Sequence, residues 1–370
     1  MMVDLVSPIP VGWVDVNQVL SLPFDEPTAW LIATVMLILI MASFAGRLLE
    51  SKSEQRLNTA VVRSFNQRIR SWWLMSAILI AGLFIGNTGT VILFGMIAFW
   101  ALREFITMTP TRRGDHRTLF WVLVVFTPLQ FFFVGTQNNL FLIGIPIYAS
   151  LFIPARIALA NDEKRFLERS AKVQIGLLIC VYALSFAPAM LYLNLGTAKR
   201  APAATEVTPA AATAIPEGEP LEAWSVVTDD TGSTVSRNKG LLFFFVLITQ
   251  LNDVLQYGWG KLLGKNIIAP RINTSRTWEG VIGGAATTAL LGALFSWVTP
   301  FLFWQAAIMA FVVAMMGFAG GMVMSAIKRD RGVKDYGTLV QGHAGILDRI
   351  DSLCFAAPVF YHLTTVFFAM

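Results

Sequence analysis

The sequence predicts an all-α polytopic membrane protein with about ten transmembrane helices, nine to eleven, and three observations carry that expectation. Of its 370 residues 55% are hydrophobic and only 14% charged, with a mean hydropathy of +0.63. A soluble domain carries about 25% charged residues, so the deficit points to lipid as solvent. The apolar residues fall into runs that match a bilayer core about 30 Å thick, which a helix of roughly 20 residues crosses. Finally, Lys and Arg alternate from loop to loop, as the positive-inside rule requires of a chain that weaves through a membrane.

Taken in order, residues 1–28 contain Asp4, Asp15, Asp25 and Glu26 but no cation. Without a basic leading segment they are read as an extracytoplasmic N-terminal stretch, not a signal peptide. Apolar runs at 29–46, 72–86, 88–103, 118–135, 139–158 and 172–195 make an N-terminal set of spans within 29–196. The second and third are short and meet at Gly86-Asn87-Thr88, which fits either a tight helical hairpin or a re-entrant segment. Between the first two spans, Leu57, Val61, Phe65 and Ile69 recur every fourth residue opposite Arg56, Arg63 and Arg70. That pattern predicts a basic helix lying on the membrane surface and attracted to anionic membrane lipids; a plain solvated linker is the alternative. Residues 197–238 are rich in Ala, Pro, Thr and Glu, the composition of a flexible extracytoplasmic loop. Runs at 239–257, 279–298, 303–325 and 352–370 then form a C-terminal transmembrane domain, 239–370.

All but four of the 28 basic residues lie in alternate loops; the exceptions are Lys199, Arg200, Arg237 and Lys239. The basic loops are therefore assigned to the cytoplasm and both termini to the opposite face. The net charge of +5 is thus a topological signal, and no nucleic-acid partner is expected. Cys180 and Cys354 both sit in apolar runs and make neither a disulfide framework nor a metal-ligand spacing.

Dense polar chemistry is confined to the cytoplasmic side of the last third. Asp253 falls one turn inside the end of a span, where a carboxylate is costly and points to function; the alternative is a structural partner for a lysine such as Lys261. Lys261, Lys265, Arg271 and Arg276 alternate with Gly258, Gly260 and Gly264, which suggests cations on a glycine-permissive loop that approaches a phosphate. Thr277 is placed as an N-cap with Glu279 in the first turn after it, and Gly280, Gly283 and Gly284 as close-packing positions. Further on, Asp348 and Asp351 are three apart, hence on one face of a helix, and offer hard oxygens for Mg²⁺. Lys328, Arg329, Arg331 and Lys334 precede them, and metal with cations suits a polyphosphate. The bland reading of the same stretch is a positive-inside loop with surface ion pairs. Gly332, Gly337, Gly342 and Gly345 argue against one continuous helix there.

Through Ser325, Lys328, Arg329, Lys334, Asp335, Gly337, His343, Gly345, Asp348, Arg349 and Asp351 the chain resembles the signature of the phosphatidate cytidylyltransferase (CDP-diacylglycerol synthase) family. The run from Asn252-Asp253 through Tyr257, Gly260-Lys261 and Gly264-Lys265, followed by Arg276-Thr277-Trp278-Glu279-Gly280, is similar to that family's upstream motif. The resemblance covers about 240–355. It implies transfer of a cytidylyl group from CTP to phosphatidate with release of pyrophosphate, requiring Mg²⁺. It also implies catalytic roles for Lys328, Arg329, Lys334, Asp348 and Asp351, and substrate binding by Asp253, Lys261, Lys265, Arg276, Ser325 and His343. Asp348, Asp351 and Asp335 would be the metal ligands. The implied setting is a bacterial inner membrane with the active-site cavity facing the cytoplasm; a homodimer is left open.

Three positions depart from the family pattern. Gly320-Gly321 stands where the family has Gly-Asp, whose Asp is a metal ligand; His343-Ala344-Gly345 replaces His-Gly-Gly; and Arg276 replaces a lysine. Arg for Lys is not neutral where geometry is tight. Two functions follow: a membrane nucleotidyltransferase, or a divergent non-catalytic relative that binds lipid or regulates a partner. A transporter or channel is disfavoured, because the ionisable residues gather at one face instead of lining the spans.

Overall fold

The computed structural model describes residues 25–56, 59–108, 112–195, 233–333 and 345–368. The chain is an all-α polytopic membrane protein. Its helices are α1 (Glu26–Arg56), α2 (Thr59–Ile85), α3 (Asn87–Met108), α4 (His116–Gly135), α5 (Leu140–Ala158) and α6 (Phe166–Tyr192). Beyond residue 232 come α7 (Ser233–Leu262), α8 (Trp278–Leu294), α9 (Phe303–Asp330) and α10 (Leu347–Phe368). Each predicted span coincides with a helix, and eight helices among the described residues are long and apolar enough to cross a bilayer. The other two are the apolar half of α2, Trp72–Ile85, and α8 with 17 residues.

Two expectations change. The proposed surface helix over 47–71 is not a separate element: its residues extend α1 and α2, with 57–58 outside the described residues. No Pro or Gly lies between Gly46 and Gly82, so no helix breaker separates 47–56 from the rest of α1 or 59–71 from the rest of α2. A short antiparallel hairpin was also not foreseen. Strand β1 (Ile267–Ala269) pairs with β2 (Asn273–Thr277), Ala269 opposite Asn273, across Pro270. Of the two readings at Gly86, the helical hairpin is the one seen: Gly86 adopts φ +103 and donates to Leu83 O, reversing the chain between α2 and α3.

Helices α4, α5 and α6 each contain a wide π turn, at Trp121–Phe126, Gly144–Ala149 and Leu178–Ala183. Pro146 lies in the second of these turns and Pro128 two residues after the first, and each removes a backbone donor. In α4 the Thr127 hydroxyl donates to Val122 O at 2.9 Å, the same carbonyl that takes the Thr127 N–H in the wide turn.

Loop contacts sort the described chain into two faces. On one, Asp25 and Thr28 neighbour Lys239 and Gly240, and Asn238 donates to Leu191 O and Leu193 O. On the other, the basic face, Arg331 reaches Glu168, Arg329 reaches Ile272 O, and Glu104 at the end of α3 accepts from Ile346 and Leu347 at the start of α10. The last four helices pack as one unit. Close approach of α7 and α8 depends on glycine: a Cβ on Gly280 would lie 2.8 Å from Gln256 O and 3.0 Å from Gly260 Cα. The expected role of Gly280, Gly283 and Gly284 is met, with Gly283 against Trp259 and Gly284 against Gln256.

Candidate active site

The site forms where α7, β2, α9 and α10 meet near the basic face. Asp253 on α7 is its centre. Its Oδ1 pairs with Arg276 Nη2 at 3.1 Å, and its Oδ2 accepts from Ser352 Oγ at 2.7 Å. Arg276, at the end of β2, also donates through Nη1 to Gln256 Oε1 at 2.6 Å. One guanidinium is therefore held by two side chains three residues apart on α7, a spacing that puts them on one face. Asp351 begins the membrane part of α10. Its Oδ1 accepts from Ser352 N at 2.7 Å and lies 3.5 Å from Ser352 Oγ. Ser352 thus stands between the two carboxylates.

Gly321 closes the fourth side. A Cβ there would lie 3.4 Å from Arg276 Nη2 and 3.9 Å from Asp351 Oδ2, so the position faces the charged cluster without crowding it. Beneath lies a buried polar layer. Asn252 donates to Ala314 O at 3.2 Å and accepts from Gln256 and Thr288, tying α7 to α8 and α9. In an apolar surrounding such a network is costly unless satisfied, and here it fixes the Gln256 that holds Arg276.

A second group flanks this core. Lys328 Nζ pairs with Asp348 Oδ1 at 2.7 Å, with both side chains mostly buried. Asn273 donates to Ser325 Oγ at 3.1 Å, and Ser325 donates to Gly321 O at 2.6 Å, docking the hairpin on α9. Arg329 Nε donates to Ile272 O at 3.2 Å on the same hairpin. Glu104, only 4% exposed, takes the N–H groups of Ile346 and Leu347 at 3.1 and 3.0 Å. It supplies acceptors to donors that a helix start leaves unpaired, and so anchors the segment carrying Asp348 and Asp351.

Of the residues singled out in the sequence, Asp253, Arg276 and Asp351 come together, with Ser325, Lys328, Arg329 and Asp348 alongside. The carboxylate sharing a hydroxyl with Asp351 is Asp253, while Asp348 is engaged by Lys328. Lys261 does not partner Asp253; its ammonium sits 5.8 Å from the Tyr257 ring centroid. Lys265 is exposed, and its backbone N–H donates to Glu279. Gly258 and Gly260 belong to α7, so the glycine-permissive loop shrinks to the turn after Leu262. Gly260 serves the contact with α8. Thr277 caps α8 as expected, accepting from Gly280 N at 3.2 Å. Lys334, Asp335 and His343 lie outside the described residues. Ser352, Gln256 and Glu104 went unrecognised, and Asn252 entered only as the first residue of the upstream motif, with no role. Glu104 carried a usable signal, a carboxylate near the end of an apolar span. Ser352 had only its place beside Asp351.

Asp253 and Asp351 against Arg276 leave one net negative charge in the core. Among the described residues no group of three or more His, Cys, Asp or Glu converges on a point. Mg²⁺ commonly takes one or two carboxylates and completes its shell with water and substrate phosphates, so two carboxylates bridged by a hydroxyl fit that pattern.

The sequence profile of the cytidylyltransferase family matches residues 66–367. The chain is 31% identical to the uncharacterized protein YnbB of Escherichia coli (strain K12), over 90% of this chain and 96% of that protein. It is 34% identical to the phosphatidate cytidylyltransferase of Mycobacterium leprae, over 34% of this chain and 41% of the relative. With the phosphatidate cytidylyltransferase of Staphylococcus saprophyticus it shares 35% identity, over 34% of this chain and 49% of the relative. The aligned region thus spans less than half of these two phosphatidate cytidylyltransferases.

Proposed function

Because this chain belongs to the cytidylyltransferase family, we propose that it transfers a cytidylyl group from CTP to phosphatidate, giving CDP-diacylglycerol and pyrophosphate. The observation that carries the reading is the Asp253–Ser352–Asp351 bridge with Arg276 beside it. It offers hard oxygens and a fixed cation at one place, the combination a triphosphate needs. The resemblance over 240–355 supplies the substrates. In this reading the basic face is cytoplasmic and the membrane is a bacterial inner membrane, which gives CTP access to the site.

The phosphatidate phosphate oxygen attacks the α-phosphorus of CTP, the bond to the β-phosphate oxygen breaks, and the electron pair leaves with pyrophosphate. The attacking phosphate is already ionised, so positioning and charge neutralisation outweigh base catalysis. Arg276, fixed by Gln256 and Asp253, orients one phosphate as a rigid fork. Lys328 exchanges between Asp348 and a phosphate oxygen, keeping its buried ammonium paired before and after binding. Ser352 holds the two carboxylates in register, and His343 is assigned a positioning role. Mg²⁺, which Asp253 and Asp351 would hold with substrate oxygens, would neutralise phosphate charge. Asp335 remains a candidate third ligand.

A second reading is favoured by one observation. The open position at Gly321 lacks the carboxylate of the family pattern, which suits a relative that binds phosphatidate without turnover. Purified protein incubated with radiolabelled CTP, phosphatidate and Mg²⁺ decides between them. Incorporation of label into lipid is expected, with a loss of about tenfold or more in Asp351→Asn and in Asp253→Asn. Absence of incorporation by the parent protein, folded and binding phosphatidate, would leave the binding reading.

A further inference from the structure

Away from the active site, the start of α4 and the end of α5 form a pocket of about 350 Å³ lined by His116, Arg117, Phe120, Trp121 and Arg156. Its cations sit in a setting where carboxylates are already committed. Asp115 is bonded to Arg169 at 2.6 Å, buried on both sides. Asp162 is held at 3.1 Å by both Arg112 and Arg169. Arg117 and Arg156 have no carboxylate within 4.0 Å among the described residues. Two guanidiniums and an imidazole thus line one concavity, and among the described residues no carboxylate pairs with either guanidinium.

The aromatic residues give the pocket a direction. Phe120 is 57% and Trp121 41% exposed, and both lie farther into the apolar α4 than Arg117. Trp121 meets Phe152 of α5 edge-on at 5.7 Å. Polar contacts therefore lie at the helix ends, with apolar and aromatic surface running inward from them. Tryptophan at that depth is the usual marker of a membrane interface.

We propose that this pocket is a binding site for the phosphodiester headgroup of an anionic membrane lipid. Arg117 and Arg156 take the phosphate, and Phe120 and Trp121 line the path of the first acyl carbons. The chemistry is charge-assisted hydrogen bonding to phosphate oxygens, for which guanidinium is the best-matched side chain. Basic pockets between transmembrane helices on the positively charged side are a general mode of anionic-lipid recognition. None of the lining residues belongs to the proposed active site. The inference therefore stands or falls independently of any transferase activity.

The test uses the full chain purified in a neutral detergent. The probes are dioleoylphosphatidylglycerol, dioleoylphosphatidylcholine and inorganic phosphate. Thermal unfolding and native mass spectrometry are read for the parent and for Arg117→Gln, Arg156→Gln and the double variant. The expected result is that phosphatidylglycerol raises the parent's midpoint by several degrees more than phosphatidylcholine does, while inorganic phosphate gives no shift. The double variant should lose that preference and retain phosphatidylglycerol about tenfold more weakly, a difference of about 1.4 kcal/mol. If the double variant does not fold, each single variant should show a partial loss. An undiminished preference in the folded variants would overturn the proposal. So would a parent shift reproduced by inorganic phosphate alone and lost in the variants, since the pocket would then serve a free anion.

Discussion

Gly321→Asp is the substitution that most directly interrogates the proposed chemistry. The new Cβ would stand 3.4 Å from Arg276 Nη2 and 3.9 Å from Asp351 Oδ2, so the side chain enters without a clash and its carboxylate lands among charges. At an effective dielectric of about 20, unit charges about 4 Å apart interact by about 4 kcal/mol. Attraction to Arg276 and repulsion from Asp351 have that size and opposite sign and offset one another, which leaves repulsion from Asp253 and the desolvation of a carboxylate at a buried position. Removing a helical glycine adds about 0.5 kcal/mol at most. Without metal the fold should therefore lose about 1–3 kcal/mol, within the range of ordinary substitutions. The core, by contrast, passes from one net negative charge to two and gains an oxygen ligand. If a divalent ion with substrate phosphates belongs there, its affinity should rise about tenfold, equivalent to about 1.4 kcal/mol. The assay is lipid cytidylylation against Mg²⁺ concentration, with the Mg²⁺-induced shift in thermal midpoint as a readout independent of turnover. Expected are a lower Mg²⁺ half-saturation, a larger thermal shift and a higher rate. A folded variant unchanged in all three would refute the assignment of position 321 to the metal site. A lower rate with a tighter Mg²⁺ response would mean that the site is already complete, with Asp335 as the leading candidate for its third carboxylate.

Three further outcomes are expected. Glu104→Ala should strip two backbone donors at the start of α10 of their acceptor and cost about 1–3 kcal/mol, seen as a lower thermal midpoint and faster hydrogen exchange at Ile346 and Leu347. The Arg112 guanidinium holds the Asp162 carboxyl below its ordinary value of 3.8, so the pair stabilises the fold above that value and the contribution is lost as pH falls through the depressed one. Arg112→Ala should therefore lower the midpoint near neutrality and flatten its decline on the acid side, and an unchanged pH profile would contradict this. For orientation, Asn138→Cys and Glu163→Cys place exposed thiols on opposite faces, while the native Cys180 and Cys354 are buried. An impermeant reagent outside intact cells should label the first and spare the second; the reverse would turn the site away from cytoplasmic CTP.

Much of the architecture is legible in the chain itself. Runs such as 303–325 must become helices, because a lipid-exposed backbone has no other way to satisfy its polar groups. The alternation of Lys and Arg sorts the loops into the two faces seen around Asn238 and Arg331. Thr277 announces its cap, and Asp253 announces itself by the expense of a carboxylate in a span. These signals are local, and each is carried by a few adjacent residues. Partnership is not. Ser352 meets Asp253 across 99 positions of sequence, and Glu104 meets Ile346 across 242. Arg276 chooses Asp253 and Gln256 over other anions because a hairpin without hydropathic periodicity delivers it to α7. Lys261, closer in sequence to Asp253, turns to Tyr257 instead. Hydropathy and period fix which segments are helices and which ends share a face. Only the packing of α7 against α8, α9 and α10 through their glycines decides which charges come within a hydrogen bond of one another, because contact at 3 Å depends on interhelical distances that no single segment encodes.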